Sequence, residues 1–450
     1  MLKEIKLKNF KCFFGEVAFS LSKINLLTGI NGRGKSSFLQ SILLMCQTVQ
    51  HNQFPKEIVL NGNAVNLGEY RDIKNSDASE DVDNIAFCFT EEQGAIFSFD
   101  IIEDKGNVLL KNFETNAELS ENNPFLSKIG GLVGSFITAR LKLENNLKLM
   151  GLSDEENLQE KLNELDLPEF IKNIVFSGLF DLSITNGSEA KETSINKLAE
   201  IFFESLFQTN GTWLLNYFRN THYISADRLG GQEYYKKYNN SDFVHISKRG
   251  ENTASVLSHV KEQLVQDSLY LGEDAKTVIT QVGEWLSHIF DAKVEIIIED
   301  NSSPYIINLD FRVNGKDYKP NNVGFGYSYI LPIIVSGLIA KKGDILIVEN
   351  PEAHLHPKAQ SHLMKFLAKV VSNGVQIFIE SHSEHILRAL QICVKKEELS
   401  NDDLNVLYFQ SDGFDSKVIR VPVLRDGTIE EWPEGFFDQD DEDYKILFGF

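Results

Sequence analysis

The run Gly29-Ile-Asn-Gly-Arg-Gly34-Lys35-Ser36, with Ser37 behind it, fits the spacing G-x-x-x-x-G-K-[ST] without a mismatch. Glycines at those places let successive backbone N–H groups wrap an anion. The lysine then reaches the outer phosphates of a nucleotide, and the serine hydroxyl is offered to Mg²⁺. The flanks agree: Ile24-Asn-Leu-Leu-Thr28 reads as a buried strand, and Phe38, Leu39, Ile42, Leu43 and Cys46 recur at helical spacing. The loop therefore joins a strand to a helix N-terminus, where the dipole and unpaired N–H groups favour negative charge. Asn31, Gly32, Arg33, Gly34, Lys35, Ser36 and Ser37 are the candidate nucleotide-binding residues, and ATP with Mg²⁺ is the implied ligand.

Such a loop needs an acidic partner for the metal, usually at the end of a neighbouring buried strand. Asp344-Ile-Leu-Ile-Val-Glu349 supplies one, which makes Ser36 and Glu349 the candidate metal residues. Asn350-Pro-Glu352-Ala-His-Leu-His356-Pro follows, and a second apolar run, Val375-Gln-Ile-Phe-Ile379, ends at Glu380-Ser-His382-Ser. His354, His356, His382 and His385 suggest a zinc set. However, the H-x-H lies on the turn after the strand, and no separate zinc site is expected.

Composition narrows the function classes. A length of 450 residues suits two or three domains, and 42% hydrophobic residues provide for a large core. The formal charge of −21 repels phosphate on average, so any nucleic-acid contact needs a local basic patch. No apolar run approaches 18 residues and no charged-then-apolar leader is seen, so a cytoplasmic location is expected. Cys12, Cys46, Cys88 and Cys393 are scattered, which argues against a disulfide framework.

Along the chain, residues 3–9 and 17–21 alternate as an antiparallel strand pair, and strands are expected near 87–90, 95–102 and 107–113. Helical periodicity takes over from about 120 to 220, as in Ile137, Leu141, Leu143 and Leu147, with breaks at Asn122-Asn-Pro and Asn186-Gly-Ser. Helices are expected near 253–270, 275–290 and 330–339, and strands at 293–299 and 305–313 around an Asn314-Gly315 turn. The acidic run 438–443 reads as a solvated turn, and Trp432, Phe436 and Phe437 as an apolar ending packed on the core. Tyr234-Tyr-Lys-Lys-Tyr238 interleaves aromatics with lysines, which suits either a nucleic-acid contact or an amphipathic surface strip. Asp227-Arg228 reads either as a strand-end ion pair or as a phosphate- or partner-facing arginine.

Taken together, Asn9-Phe-Lys11, Gly29–Ser36, Gly324-Phe-Gly-Tyr-Ser328, Ile345–Pro357 and Ser381-His-Ser383 resemble the ABC-type ATPases of the OLD, RecF and structural-maintenance group. More narrowly, they resemble single-head ATPases of prokaryotic anti-phage systems such as Septu. The ending Asp426–Asp438 resembles a C-terminal segment of unassigned role in that subgroup. The resemblance implies an α/β fold. It would be an ABC-type P-loop head with a mixed sheet and antiparallel β-subdomain over 1–118 and 220–450, and a helical insertion at 119–219.

It also implies roles. Lys35 and Ser36 hold phosphates and Mg²⁺, Glu349 fills the Walker B position and His382 senses the γ-phosphate. Gly324, Gly326 and Ser328 form a signature that caps the nucleotide of a second copy, giving a homodimer or higher homo-oligomer. A separately encoded effector nuclease of HNH or Toprim type is the implied partner, and nucleic acid would be met through the complex. Asn350 departs from the group, since it stands where many relatives carry the water-orienting glutamate. An amide cannot accept a proton, so slow hydrolysis is expected, with Glu352 and His382 as substitutes. The alternative is a RecF-like DNA repair ATPase that binds DNA directly.

Overall fold

The computed structural model describes residues 1–51, 57–79, 84–115, 212–238, 244–272, 274–300, 304–412 and 415–449. The chain divides into two compact units, Met1–Glu114 with Leu214–Phe450, and Thr115–Trp213. The expected helical insert, 119–219, lies outside the described residues apart from a helix at Thr212–Arg219.

Alternation of apolar and polar residues builds the opening strands β1 (Leu2–Phe10) and β2 (Phe13–Ser20), paired antiparallel with Leu7 opposite Val17. The strand β3 (Ile24–Gly29) feeds the helix α1 (Lys35–His51), and a short helix α2 (Tyr70–Ile73) follows. Next come β4 (Ile85–Glu91), β5 (Ile96–Asp104) and β6 (Asn107–Thr115), then α3 (Thr212–Arg219), β7 (Thr221–Ile224) and β8 (Tyr235–Lys236). The helices α4 (Thr253–Val260) and α5 (Val278–Phe290) precede β9 (Val294–Glu299), β10 (Ile306–Val313) and β11 (Lys316–Tyr318). The last third alternates α6 (Phe325–Ile339), β12 (Ile345–Glu349), α7 (Pro357–Ser372), β13 (Gln376–Glu380) and α8 (Glu384–Lys395). It ends with β14 (Leu404–Asp412), β15 (Asp415–Val421) and α9 (Gln439–Phe448).

These strands form three sheets. The antiparallel one runs β2-β1-β4-β5-β6, and the core sheet runs β15-β14-β3-β13-β12-β7 with only β15 antiparallel. A third groups β8, β9 and β11 around β10. This is the expected α/β fold, with a mixed sheet and an antiparallel subdomain. α1 is its central helix and is buried on nearly every side from Phe38 to Val49. Phe38 packs on Phe19 of the subdomain at 4.4 Å between ring centroids, and on Phe378 and Phe409 of the core sheet at 6.2 and 6.5 Å. Gln376 ties the two sheets by exchanging hydrogen bonds with the Leu2 backbone at 3.0 and 2.8 Å.

Three expectations need correction. The helix near 253–270 stops at Val260, because Leu264 bridges Thr277 and the Leu269 carbonyl accepts from the Trp285 indole at 2.9 Å. The run 438–443 opens the helix α9 instead of a turn. Phe436 is buried against Tyr408, but Trp432 keeps 46% exposure. No described helix is long and apolar enough to cross a membrane.

Candidate nucleotide site

The carboxyl ends of β3, β13, β12 and β7 align at one edge of the core sheet, the place where parallel α/β sheets bind ligands. At Gly29 the φ of 124° suits glycine alone, and a Cβ there would lie 2.1 Å from the Phe409 carbonyl oxygen. Ile30, Asn31 and Gly32 then turn out to solvent, Arg33 is half-buried, and the loop returns at Gly34 against Cys12 and Phe13. Ser36 is exposed and Ser37 half-buried at the head of α1. Lys35 is buried, and its ammonium donates to the carbonyls of Gly29 and Ile30 at 2.9 and 3.0 Å. Burial lowers its pKa, against the pull of Glu380.

Glu380 is a site residue to which sequence reasoning gave no role. The Ser36 hydroxyl donates to its Oε1 at 3.4 Å, and strand register sets it beside Glu349. Burial first, and Glu349 second, push its carboxyl up to about 7, with Lys35 and Ser36 opposing. The signal was present in the sequence: an apolar strand ending in a carboxylate, the same cue that marked Glu349.

Glu349 points the other way. Its Oε1 accepts from the Tyr223 hydroxyl and its Oε2 from the Ala226 N–H, both at 3.0 Å, on the β7 side. Burial and this carboxylate hold the Tyr223 hydroxyl far above the usual tyrosine range. The next residue, Asn350, has a left-handed φ of 44°, its N–H donating to the Glu380 carbonyl at 2.8 Å. Glu352 Oε1 accepts from the His382 N–H at 3.0 Å, while its Oε2 is buried without a hydrogen-bond partner. His382 itself is exposed. Positions 35–36, 349–352 and 380–382 are therefore linked into one cluster.

Arg228 is the other residue whose place the sequence left open. Its guanidinium, 3% exposed, donates to the carbonyls of Glu349 and Asn350 at 2.7 Å each and to that of Ser225 at 3.1 Å. It also lies 5.3 Å over the Tyr329 ring of α6, and burial lowers its pKa to about 10. The neighbouring Asp227 pairs instead with Arg249 at 3.1 Å.

The signature positions divide. Gly324 is exposed, and Phe325 is 60% exposed. Gly326 is buried, where a Cβ would meet the His354 carbonyl at 3.1 Å and Leu355 at 3.2 Å. Ser328 is 5% exposed with its hydroxyl enclosed and unpartnered, so its side chain does not face a second copy as expected. The reason is the start of α6 at Phe325, five residues before the expected Ile330, which turns Ser328 inward. The histidines also take separate places: the His354 ring lies 4.4 Å from that of Tyr329, and His356 caps α7 by accepting from the Lys358 N–H.

These oxygens fit a hard divalent cation that arrives with phosphates. Ser36 and Glu380 lie together, Glu349 is on the next strand, and Glu352 keeps a buried oxygen without a partner. Among the described residues no three His, Cys, Asp or Glu side chains form a metal cluster on their own, so nucleotide oxygens would complete the set.

A family model described as AAA ATPase domain matches residues 1–387. The chain belongs to this ATPase family. A second model, described as protein of unknown function (DUF3696), matches residues 399–447 of this ATPase, and no curated protein matches it. Its chain is similar to a solved SMC head bound to the C-winged helix domain of ScpA, at 10% identity and TM-score 0.44, covering 94% of this chain and 98% of that one. It is also similar to an Smc head domain with an extended coiled coil bound to the C-terminal domain of ScpA, derived from Pyrococcus furiosus. That match has 12% identity and TM-score 0.43, covering 100% and 98% of the two chains. An SMC head domain from Thermotoga maritima matches at 10% identity and TM-score 0.40, over 93% and 98%.

Proposed function

We propose that this ATPase is a slow switch: it binds Mg²⁺·ATP at the loop 29–37, and its ATP-bound state controls a separately encoded effector nuclease, HNH- or Toprim-type, in anti-phage defence. The observation that carries the slow-switch reading is Asn350. Arg228 and the Glu380 carbonyl fix its backbone at the end of the Walker B strand, and its side chain is an amide. The loop N–H groups and the N-terminus of α1 bind phosphate, and Lys35 exchanges the Gly29 and Ile30 carbonyls for phosphate oxygens. Ser36 and the site's carboxylates would hold Mg²⁺, which would neutralise phosphate charge. No amide takes the proton of an attacking water, and loss of general-base help costs about 10²–10⁴-fold in rate. Glu352 and His382 are the groups left to assist.

The exposed Gly324 and Phe325 are the surface offered to a second copy in an ATP-closed homodimer. Support for the defence role is the motif resemblance of the sequence. The test is affinity purification of the tagged protein from cells carrying the neighbouring genes. Co-purification of a nuclease supports the reading, and recovery of the ATPase with no second polypeptide contradicts it.

One observation favours direct DNA binding as the second reading. Around β8, Tyr235 points inward and Tyr234, Lys236 and Tyr238 outward, an aromatic and cationic strip of the kind on which bases stack. Filter binding of DNA at two salt concentrations decides it: ATP-dependent, salt-sensitive affinity favours this reading, and its absence rejects it.

A further inference from the structure

Between β7 and β8 the chain runs through Ser225-Ala-Asp-Arg228-Leu-Gly230-Gly231-Gln232, and both halves of this stretch are held. The first half grips the end of β12. The Ala226 N–H donates to Glu349 Oε2 at 3.0 Å, and the Arg228 guanidinium spans the Glu349 and Asn350 carbonyls at 2.7 Å each. A planar fork on two successive carbonyls follows a shift of that backbone more closely than a flexible ammonium would. The second half lies on the turn 320–325. Neither Gly230 nor Gly231 has a positive φ, so both are glycine for want of space. A Cβ on Gly230 would stand 2.7 Å from the Phe325 ring, and one on Gly231 2.2 Å from the Pro320 carbonyl oxygen.

A second segment backs the stretch. The Ser225 and Leu229 N–H groups donate to the Lys248 and Arg249 carbonyls at 2.8 Å each, and a Cβ on the adjoining Gly250 would stand 2.7 Å from the Pro332 ring. Phe325, Tyr329 and Pro332 are spaced i, i+4 and i+7 and so share one face of α6. That face is met in turn by Gly230, the Arg228 guanidinium and Gly250. At the other end, the Asn350 N–H donates to the carbonyl of Glu380, whose side chain meets Ser36. Resting on the reading that this edge takes Mg²⁺·ATP, we infer that residues 225–232 are a positioning strap that couples occupancy of the nucleotide site to the turn 320–325 and α6 of the same chain. Close packing at both glycines leaves no slack to absorb a movement of the β12 end.

The test is hydrogen exchange of the full chain, read by mass spectrometry with and without Mg²⁺·ATP, at two protein concentrations about tenfold apart. In the parent, nucleotide is expected to slow exchange at 29–37 and, by about fivefold or more, at 320–329, equally at both concentrations. Tyr329→Leu removes the ring beneath Arg228, and Gly231→Ala pushes the strap off Pro320. Each should keep the slowing at 29–37 and lose most of it at 320–329. A thermal melt checks folding, and Tyr329→Leu alone decides the matter where Gly231→Ala does not fold. Full slowing at 320–329 in either folded variant, or none there in the parent, overturns the inference. So does slowing seen only at the higher concentration, which is what cover by a second copy would give. No slowing at 29–37 in the parent, or equal slowing in Lys35→Ala, sinks instead the reading of the site on which the inference rests.

Discussion

The turn 29–34 and the turn 321–326 each carry glycines into the N-terminus of a helix, α1 in one case and α6 in the other. In the first, Gly29, Gly32 and Gly34 all have positive φ, and the backbone bows out to solvent from Ile30 to Gly32. In the second neither glycine has positive φ, and Gly326 is needed for its size, because the chain after β12 packs directly on it. One glycine set lets the loop bow outward, and the other allows a close approach between α6 and the residues following Glu349. The same residue type in similar-looking motifs thus marks a ligand site in one place and a packing contact in the other.

Substitutions at these two turns should separate sharply. Gly29→Ala combines a strained φ with a Cβ inside the Phe409 carbonyl, and is expected to cost more than about 3 kcal/mol in urea unfolding. Gly324→Ala, whose nearest neighbour is the Tyr327 ring at 3.8 Å, should stay within about 0.5 kcal/mol. Equal losses at both would break the comparison.

Arg228 joins the residues at the end of β12 to α6, since it clamps the Glu349 and Asn350 carbonyls and lies over Tyr329. Arg228→Ala strips its donors from the half-buried Glu349 and Asn350 carbonyls, the latter keeping the Ala353 N–H, and a loss of about 1–3 kcal/mol is expected, with a lower turnover rate. Arg228→Lys should restore part of each, and turnover unchanged in the alanine variant would remove Arg228 from the site. At the exposed end, Phe325→Ala should change stability by less than about 1 kcal/mol and weaken ATP-dependent dimerisation in sedimentation velocity. Unaltered dimerisation would show that this turn is not the contact surface.

The smallest effect concerns pH, away from both turns. Burial, with His222 beside it, lowers the pKa of His245, with Glu251 opposing. A histidine whose folded pKa lies below its unfolded value stabilises the fold above the unfolded pKa, about 6.5, and that stability is lost as pH falls through the folded value. Melting temperature should therefore drop between pH 7.5 and 5.5, and His245→Asn should flatten the drop. An equally steep drop in the variant would rule His245 out as its source.

How much of this could be read from the sequence follows the range of the interactions. The strand–loop–helix at 24–46, the β1–β2 pair and the Asn314-Gly315 turn are local patterns and were legible as such. The facing of Glu380 was not, because it depends on β13 separating β3 from β12, an ordering set by contacts hundreds of residues apart. Ser328 was misplaced because the helix start at Phe325 is fixed by packing against His354 and Leu355, remote in sequence. Arg228 was ambiguous for the same reason: its carbonyl partners lie more than a hundred residues downstream.

The central claim, a single nucleotide site assembled from these separated segments and slowed by Asn350, is tested most directly by phosphate release from Mg²⁺·ATP over hours, parent beside Lys35→Ala. The account predicts turnover between about 0.1 and 0.001 s⁻¹, below an ordinary enzyme's roughly 10 s⁻¹ by the missing general base, and none above background in the variant. Turnover near 10 s⁻¹, or release that persists in Lys35→Ala, would contradict it.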